Sequence, residues 1–122
     1  MIATLSPAQL DYLGSQRLGR LATVRPDGSP QNNPVGFRYN EALGTIDIGG
    51  FNMGASQKFR NLAKEERVSF VVDDVASLNP WTVRCLEIRG TAQALKDVDS
   101  YVEGSRELIR ITPERILAFG IE

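Results

Sequence analysis

The stretch Trp81–Leu95, WTVRCLEIRGTAQAL, decides the fold. Leu86, Ile88, Gly90, Ala92 and Ala94 occupy every second position, and Glu87, Arg89, Thr91 and Gln93 stand between them. A period of two puts the small and apolar residues on one face and the polar ones on the other, which is a long strand buried on one side. Working outward, Arg67–Asp73 contains Phe70, Val71 and Val72 and reads as a partner strand, with Asp74–Pro80 as a loop. Leu18–Val24 is another strand. Arg25-Pro26-Asp27-Gly28-Ser29 follows as a turn, in which Pro26 presets φ and Gly28 tolerates a positive one. Extended chain resumes at Pro30 and runs to Tyr39, completing a hairpin. Asn40–Gly44 is a second turn and Thr45–Ile48 a short alternating strand. At the C-terminal side, Asp97–Arg106 reads as a short helix, and Leu108–Ile111 and Arg115–Phe119 as a final extended pair around Thr112-Pro113.

Two further helices are expected. Ser6-Pro7-Ala8-Gln9 has a capping residue, a proline at the first helical position and a Gln that completes a capping box, with Gly14 as a stop. Ser56–Lys64 places Phe59, Leu62 and Ala63 on one side. Strands joined by short turns, with only short helices between them, favour an antiparallel sheet or barrel over a doubly wound fold. With 122 residues and no linker or repeat, residues 1–122 are expected to form a single domain.

Composition narrows the chemistry. Hydrophobic residues make up 42% and charged residues 24%, an ordinary globular balance, and the net charge is −1. That charge argues against bulk attraction to nucleic acid or to an anionic membrane surface. No apolar run is long enough for a spanning helix and no secretory segment opens the chain, so the cytoplasm is the expected location. The chain has no histidine and one cysteine, Cys85. The commonest general base is therefore missing, a zinc site is not expected, and no disulfide can form within the chain. Cys85 reads as a small packed hydrophobe, and Asp73-Asp74 as a turn in preference to a metal pair.

The loop Gly49–Ser56 has two glycines at P-loop separation, but Ala55 stands where the lysine must follow, and no G-x-G-x-x-G run opens a helix. The loop still enters a helix with Ser56 and Lys58 near its start, a setting suited to a phosphate, or else a plain serine cap with solvated Lys58 and Arg60. Arg17, Arg20, Arg25 and Arg38 give the first hairpin a local cationic surplus. Within Asn32–Phe37, Pro34 cannot donate to a ladder and Gly36 permits close approach, so this is an edge where a flat ring could stack or an irregular edge strand. Trp81 and Arg84 follow Pro80 and could flank a ligand or a neighbouring subunit, or plug the end of a barrel.

Taken together, RLATVRPDGSPQNNPVGF (20–37), TIDIGG (45–50), SQKFRNL (56–62), RVSFVVDD (67–74), NPWTVRCLEIRGTAQAL (79–95) and ITPERILAFG (111–120) resemble the pyridoxamine-phosphate-oxidase-like superfamily. Within it they are most similar to the actinobacterial F420-dependent branch, in a subgroup that includes reductases of dehydrotetracycline intermediates. The resemblance implies a mainly β fold, a Greek-key split β-barrel of six antiparallel strands with short flanking helices, of the FMN-binding type. It implies a homodimer with the cofactor at the subunit interface: coenzyme F420, or FMN as the alternative. Carried over by position, Arg20, Ala22, Thr23 and Val24 lie beside the ring, as do Gln31, Asn33, Pro34 and Val35. Ser56 and Lys58 bind the phosphate, and Trp81 and Arg84 reach the cofactor from the partner subunit. Gln57 stands where oxidase relatives carry arginine, and the C-terminal substrate segment of those oxidases is not expected.

The activity implied is hydride transfer to a small organic acceptor such as an enone. The resemblance names no catalytic side chain; Tyr39, another tyrosine, a carboxylic acid or water is left to supply a proton. An FMN-dependent oxidase or reductase is the alternative, and a non-catalytic cofactor-binding protein a third reading. A single-stranded nucleic-acid binder is disfavoured, since aromatic residues make up only 7%.

Overall fold

A computed structural model describes residues 2–121. Helix α1 spans Pro7–Ser15, and strands β1 to β4 span Leu18–Val24, Pro30–Gly36, Arg38–Asn40 and Thr45–Ile48. A 3₁₀ turn at Met53–Ala55 leads into helix α2, Gln57–Asn61. Three long strands follow: β5 (Arg67–Leu78), β6 (Trp81–Lys96) and β7 (Glu107–Phe119). The capping box of α1 forms as its sequence predicts: the Ser6 amide donates to Gln9 Oε1 at 2.9 Å and the Gln9 amide to Ser6 Oγ at 3.2 Å.

All strand pairings are antiparallel, in the order β2-β1-β5-β6-β7-β4-β3. The two edge strands, β2 and β3, are consecutive in the chain with only Phe37 between them. Successive Cα atoms lie about 3.8 Å apart, so Gly36 and Arg38 are within about 7.6 Å of one another. A seven-stranded sheet whose opposite edges meet across one residue must curl into a barrel, split where β2 and β3 share no ladder. Phe37 marks the seam, its ring packing edge-on against Phe70 at 5.3 Å. Inside lie Ile46, Ile48, Phe70, Val72, Leu86, Ile88, Ile109 and Ile111, all fully buried. The alternation read along Trp81–Leu95 is present: Leu86, Ile88, Gly90 and Ala92 are buried, and their polar neighbours are more open.

The mainly β architecture is thus as expected, with four local differences. Seven strands form where six were expected, because the run Pro30–Tyr39 breaks at Phe37 to turn the barrel corner. Leu108–Ile111 and Arg115–Phe119 are one strand, β7. It carries an irregularity opposite Arg89 and Gly90 that absorbs Pro113, a residue with no amide to donate. A Cβ on Gly90 would sit 2.0 Å from the Thr112 carbonyl oxygen, so this crossing requires glycine. Asp74–Leu78 extends β5 and is not loop, since its ladder to β6 continues past a register shift at Val75/Ser77. Residues 97–106 form turns and not a helix: Asp97 and Gly104 have φ of 58° and 83°, and Arg106 donates back to the Asp97 carbonyl at 3.0 Å.

Among the described residues no helix is long and apolar enough to cross a membrane, and no group of three or more acidic or cysteine side chains is placed to hold a metal.

Candidate functional site

Helix α2 is short, and the side it turns to the barrel carries Phe59, Asn61 and then Leu62. Asn61 is the unexpected one, a polar residue with no exposure. A buried amide must find partners or cost several kcal/mol, and Asn61 finds three. Its Oδ1 accepts from Gln57 Nε2 at 2.7 Å, and its Nδ2 donates to Thr23 Oγ1 at 2.9 Å and to Gln31 Oε1 at 3.1 Å. Gln31 Nε2 donates onward to Asn33 Oδ1 at 2.9 Å. One network therefore joins the segment after the glycine-rich loop to β1 and β2. The sequence reading named Thr23, Gln31 and Asn33 but missed Asn61. Its signal was a polar residue set among Phe59, Leu62 and Ala63 on an otherwise apolar helix face.

Strand pairing places Thr23 opposite Gln31, Leu21 opposite Asn33 and Gly19 opposite Val35. Because side chains alternate, the β1 and β2 residues that the resemblance assigns to a ring divide between two faces. Thr23, Gln31, Asn33 and Val35 take the inner face, and Thr23 and Val35 are buried there. Arg20, Ala22, Val24 and Pro34 take the outer face and are half or fully exposed. Arg20 there lies 3.6 Å from Asp73. A ligand resting on one face can meet the other set only along the β2 edge.

Ser56 is committed to the backbone. Its hydroxyl donates to the Met53 carbonyl at 2.6 Å and accepts from the Phe59 amide at 3.3 Å, so it caps α2. Glu107 pins the same turn, accepting from the Gly54 amide at 2.8 Å. Lys58 is half-buried and has no carboxylate or hydrogen-bond partner among the described residues. Beside Gln57 an open cleft of about 540 Å³ is lined by Arg25, Pro26 and Asp27. Hydrogen bonds from the Ser29 hydroxyl and amide hold the Asp27 carboxyl below its usual range, and Asp27 forms no ion pair with Arg25.

The remaining candidates lie elsewhere. Arg84 donates through Nε and Nη2 to Asp74, lies 5.0 Å above the Tyr12 ring, and shares no contact with the Asn61 network. Burial, then the hydrogen bond to Asp74, raises the Tyr12 hydroxyl above its ordinary value, so it stays a donor. Trp81 is two-thirds exposed beside Leu78, which is more exposed still. Arg38 and Tyr39 line a separate polar cleft with Tyr101, Asp47 and Arg110. The arginines of the first hairpin are thus spread over different settings and do not form one patch. Burial pushes the Asp47 carboxyl up, but hydrogen bonds from Arg110, Asn40 and Thr45 outweigh it and hold the carboxyl below its usual value. Cys85 is half-buried, its thiol pushed up by burial, in keeping with a packing role.

The family model described as pyridoxamine 5'-phosphate oxidase matches residues 5–119. A 5a,11a-dehydrotetracycline/5a,11a-dehydrooxytetracycline reductase of Streptomyces rimosus is 50% identical over 116 residues, which cover 93% of this chain and 82% of that one. Among solved structures, an F420 reductase superposes with a TM-score of 0.63 at 25% identity, covering 83% of this chain and 89% of that one. An FAD-binding protein from Mycobacterium smegmatis superposes with a TM-score of 0.70 at 21% identity over 96% of this chain and 97% of that one, a likeness of fold. The match spans nearly the whole barrel, including β1, β2 and the α2 segment that the Asn61 network joins: this chain belongs to the pyridoxamine 5'-phosphate oxidase family.

Proposed function

We propose that this protein is a reductase that holds the deazaflavin coenzyme F420 and reduces a small organic acceptor, an enone of the polyketide or tetracycline kind. The observation that carries the reading is the Asn61 network, which binds the Ser56–Lys58 segment to Thr23, Gln31 and Asn33. A cation without a carboxylate partner and a polar strand edge thereby become parts of one fixed unit, as a ligand with a phosphate and a flat polar ring requires. The residues fit such a ligand. Lys58 and Arg25 form no ion pair among the described residues, and β2 is an edge strand where Pro34 offers no ladder amide and Gly36 no side chain. The reductase half rests on the 50% identical relative, and the deazaflavin on the F420 reductase of like fold.

When bound, the deazaflavin supplies a hydride, and the protein contributes orientation and exclusion of water. Gln31, Asn33 and Pro34 along the open β2 edge would border the ring, with Thr23 and Val35 buried behind them on the inner face and Arg20, Ala22 and Val24 on the outer face. Lys58 meets the phosphate, with Ser56 shaping the backbone there. Trp81 and Arg84 complete the site from the second subunit of a homodimer. The exposed Leu78 and Trp81 at the tip of the β5–β6 hairpin, with Val75 behind them, are the apolar surface that such a dimer would cover. Tyr39 lies in the separate cleft, so the proton comes from another group or from water.

FMN is the second reading, since it shares the tricyclic ring and the phosphate, and an FAD-binding protein has the same fold. Fluorescence titration of the purified protein with F420 and with FMN tests the choice. Tight binding of the deazaflavin with weak FMN binding is expected; preference for FMN moves the protein to the second reading, and binding of neither removes both.

A further inference from the structure

The amide network has a direction. Arg60 can only donate, and its Nη2 donates to Gln57 Oε1 at 2.9 Å. That fixes the Gln57 amide with its NH2 toward Asn61 Oδ1, which turns Asn61 Nδ2 toward Gln31 Oε1, and this in turn points Gln31 Nε2 at Asn33 Oδ1. Each carbonyl is consumed by the residue before it, and each NH2 group by the residue after it. The series starts on a guanidinium and ends on Asn33, whose Nδ2 has no acceptor among the described residues. Asn33 is half-buried on the edge strand, so its free NH2 group can reach a ligand. Hydrogen bonds in series polarise one another, so the last donor is strengthened by those behind it.

We infer that Asn61 is a positioning residue that, through Gln31, presents the Asn33 amide as a donor to a ring carbonyl oxygen of the bound cofactor. The inference rests on the proposed function and deepens it, because it selects ligands that bring an acceptor to this edge. An Asn33 free to rotate would offer its carbonyl as readily as its NH2 group. With Gln31 engaged on Oδ1, only the donor face remains.

The test uses Asn33→Ala, Asn61→Leu and the double variant, each checked for native circular dichroism. Dissociation constants are measured by fluorescence titration with F420 and FMN. Carbonyl chemical shifts of the bound ring are read by carbon-13 NMR with no acceptor substrate present. Each single variant is expected to weaken binding of the preferred cofactor about tenfold, the worth of one hydrogen bond strengthened by its neighbours. Each is expected to move one ring-carbonyl resonance upfield. The double variant should be no weaker than the worse single variant, because the two residues act in series. Should Asn61→Leu not fold, Asn33→Ala at the half-exposed edge and Gln57→Leu upstream carry the same expectation. Unchanged affinity and resonance in Asn33→Ala, additive losses in the double variant, or an effect confined to KM for the acceptor overturns the inference while the cofactor reading stands. A wild-type protein that binds neither cofactor overturns the reading itself.

Discussion

Lys58 and Asn61 show how two polar residues three positions apart acquire opposite duties. Lys58 is half-buried with no partner among the described residues, whereas Asn61 is sealed beneath the helix with three. Their substitutions should therefore separate binding from stability. Lys58→Ala removes a charge-assisted contact and should weaken cofactor binding by about 2 kcal/mol with no change in Tm, as read by titration and thermal melting. Ser56→Ala should instead lower stability by about 1 kcal/mol in urea unfolding, since it loses the α2 cap and the bond to the Met53 carbonyl. An unchanged Kd in Lys58→Ala would remove this residue from the site.

At the scale of elements, β6 and β7 carry the barrel, and their crossing at Gly90 leaves no room for a side chain. The Thr112 carbonyl fills the space where a side chain would stand, and Pro113 interrupts the ladder beside it. Gly90→Val should cost about 3 kcal/mol through forced separation of the strands, a fall of roughly 10 °C in Tm by calorimetry. A variant as stable as the parent would mean that the crossing can open freely. The differences from the sequence reading also belong to this scale. Alternation along Trp81–Leu95 was legible because a half-buried strand imposes a period of two. The helix expected over residues 97–106 does not form, because Asp97, Val98, Asp99, Ser100 and Gly104 are weak helix formers and the path is set by the need to return from β6 to β7. The break at Phe37 was invisible, since it follows from barrel closure.

For the whole molecule, acid response and assembly are the measurable consequences. Asp47 is nearly buried and paired with Arg110 at 3.0 Å, its carboxyl held below the ordinary value. A lowered folded pKa contributes stability that is present above the unfolded value, near pH 4, and is lost as pH falls through the folded one. Asp27, Asp74 and Glu65, the last held at about 2 by hydrogen bonds from Arg67, share that sign. Urea midpoints should therefore fall steeply below about pH 4. Asp47→Asn should be about 3 kcal/mol less stable at pH 7 and show a shallower decline in acid. In assembly, light scattering should give twice the 13.4 kDa chain mass. The pair Leu78→Ser and Trp81→Ser should yield monomers with reduced cofactor affinity. Monomeric wild-type protein at micromolar concentration would remove the dimer from the proposal.

The sequence by itself determined the cores of most strands, the capping box of α1 and the lack of an imidazole, because these depend on residue type and on neighbours along the chain: periodicity, turn residues and the absence of histidine. Resemblance to a family singled out Thr23, Gln31 and Asn33 as site residues. Only the tertiary structure decided that Asn61 links them to the Lys58 segment, that Ser56 is spent on its own helix, and that the β1–β2 candidates divide between two faces. Those outcomes depend on which distant groups burial brings within hydrogen-bond reach, and a buried amide takes its role from the partners the fold supplies.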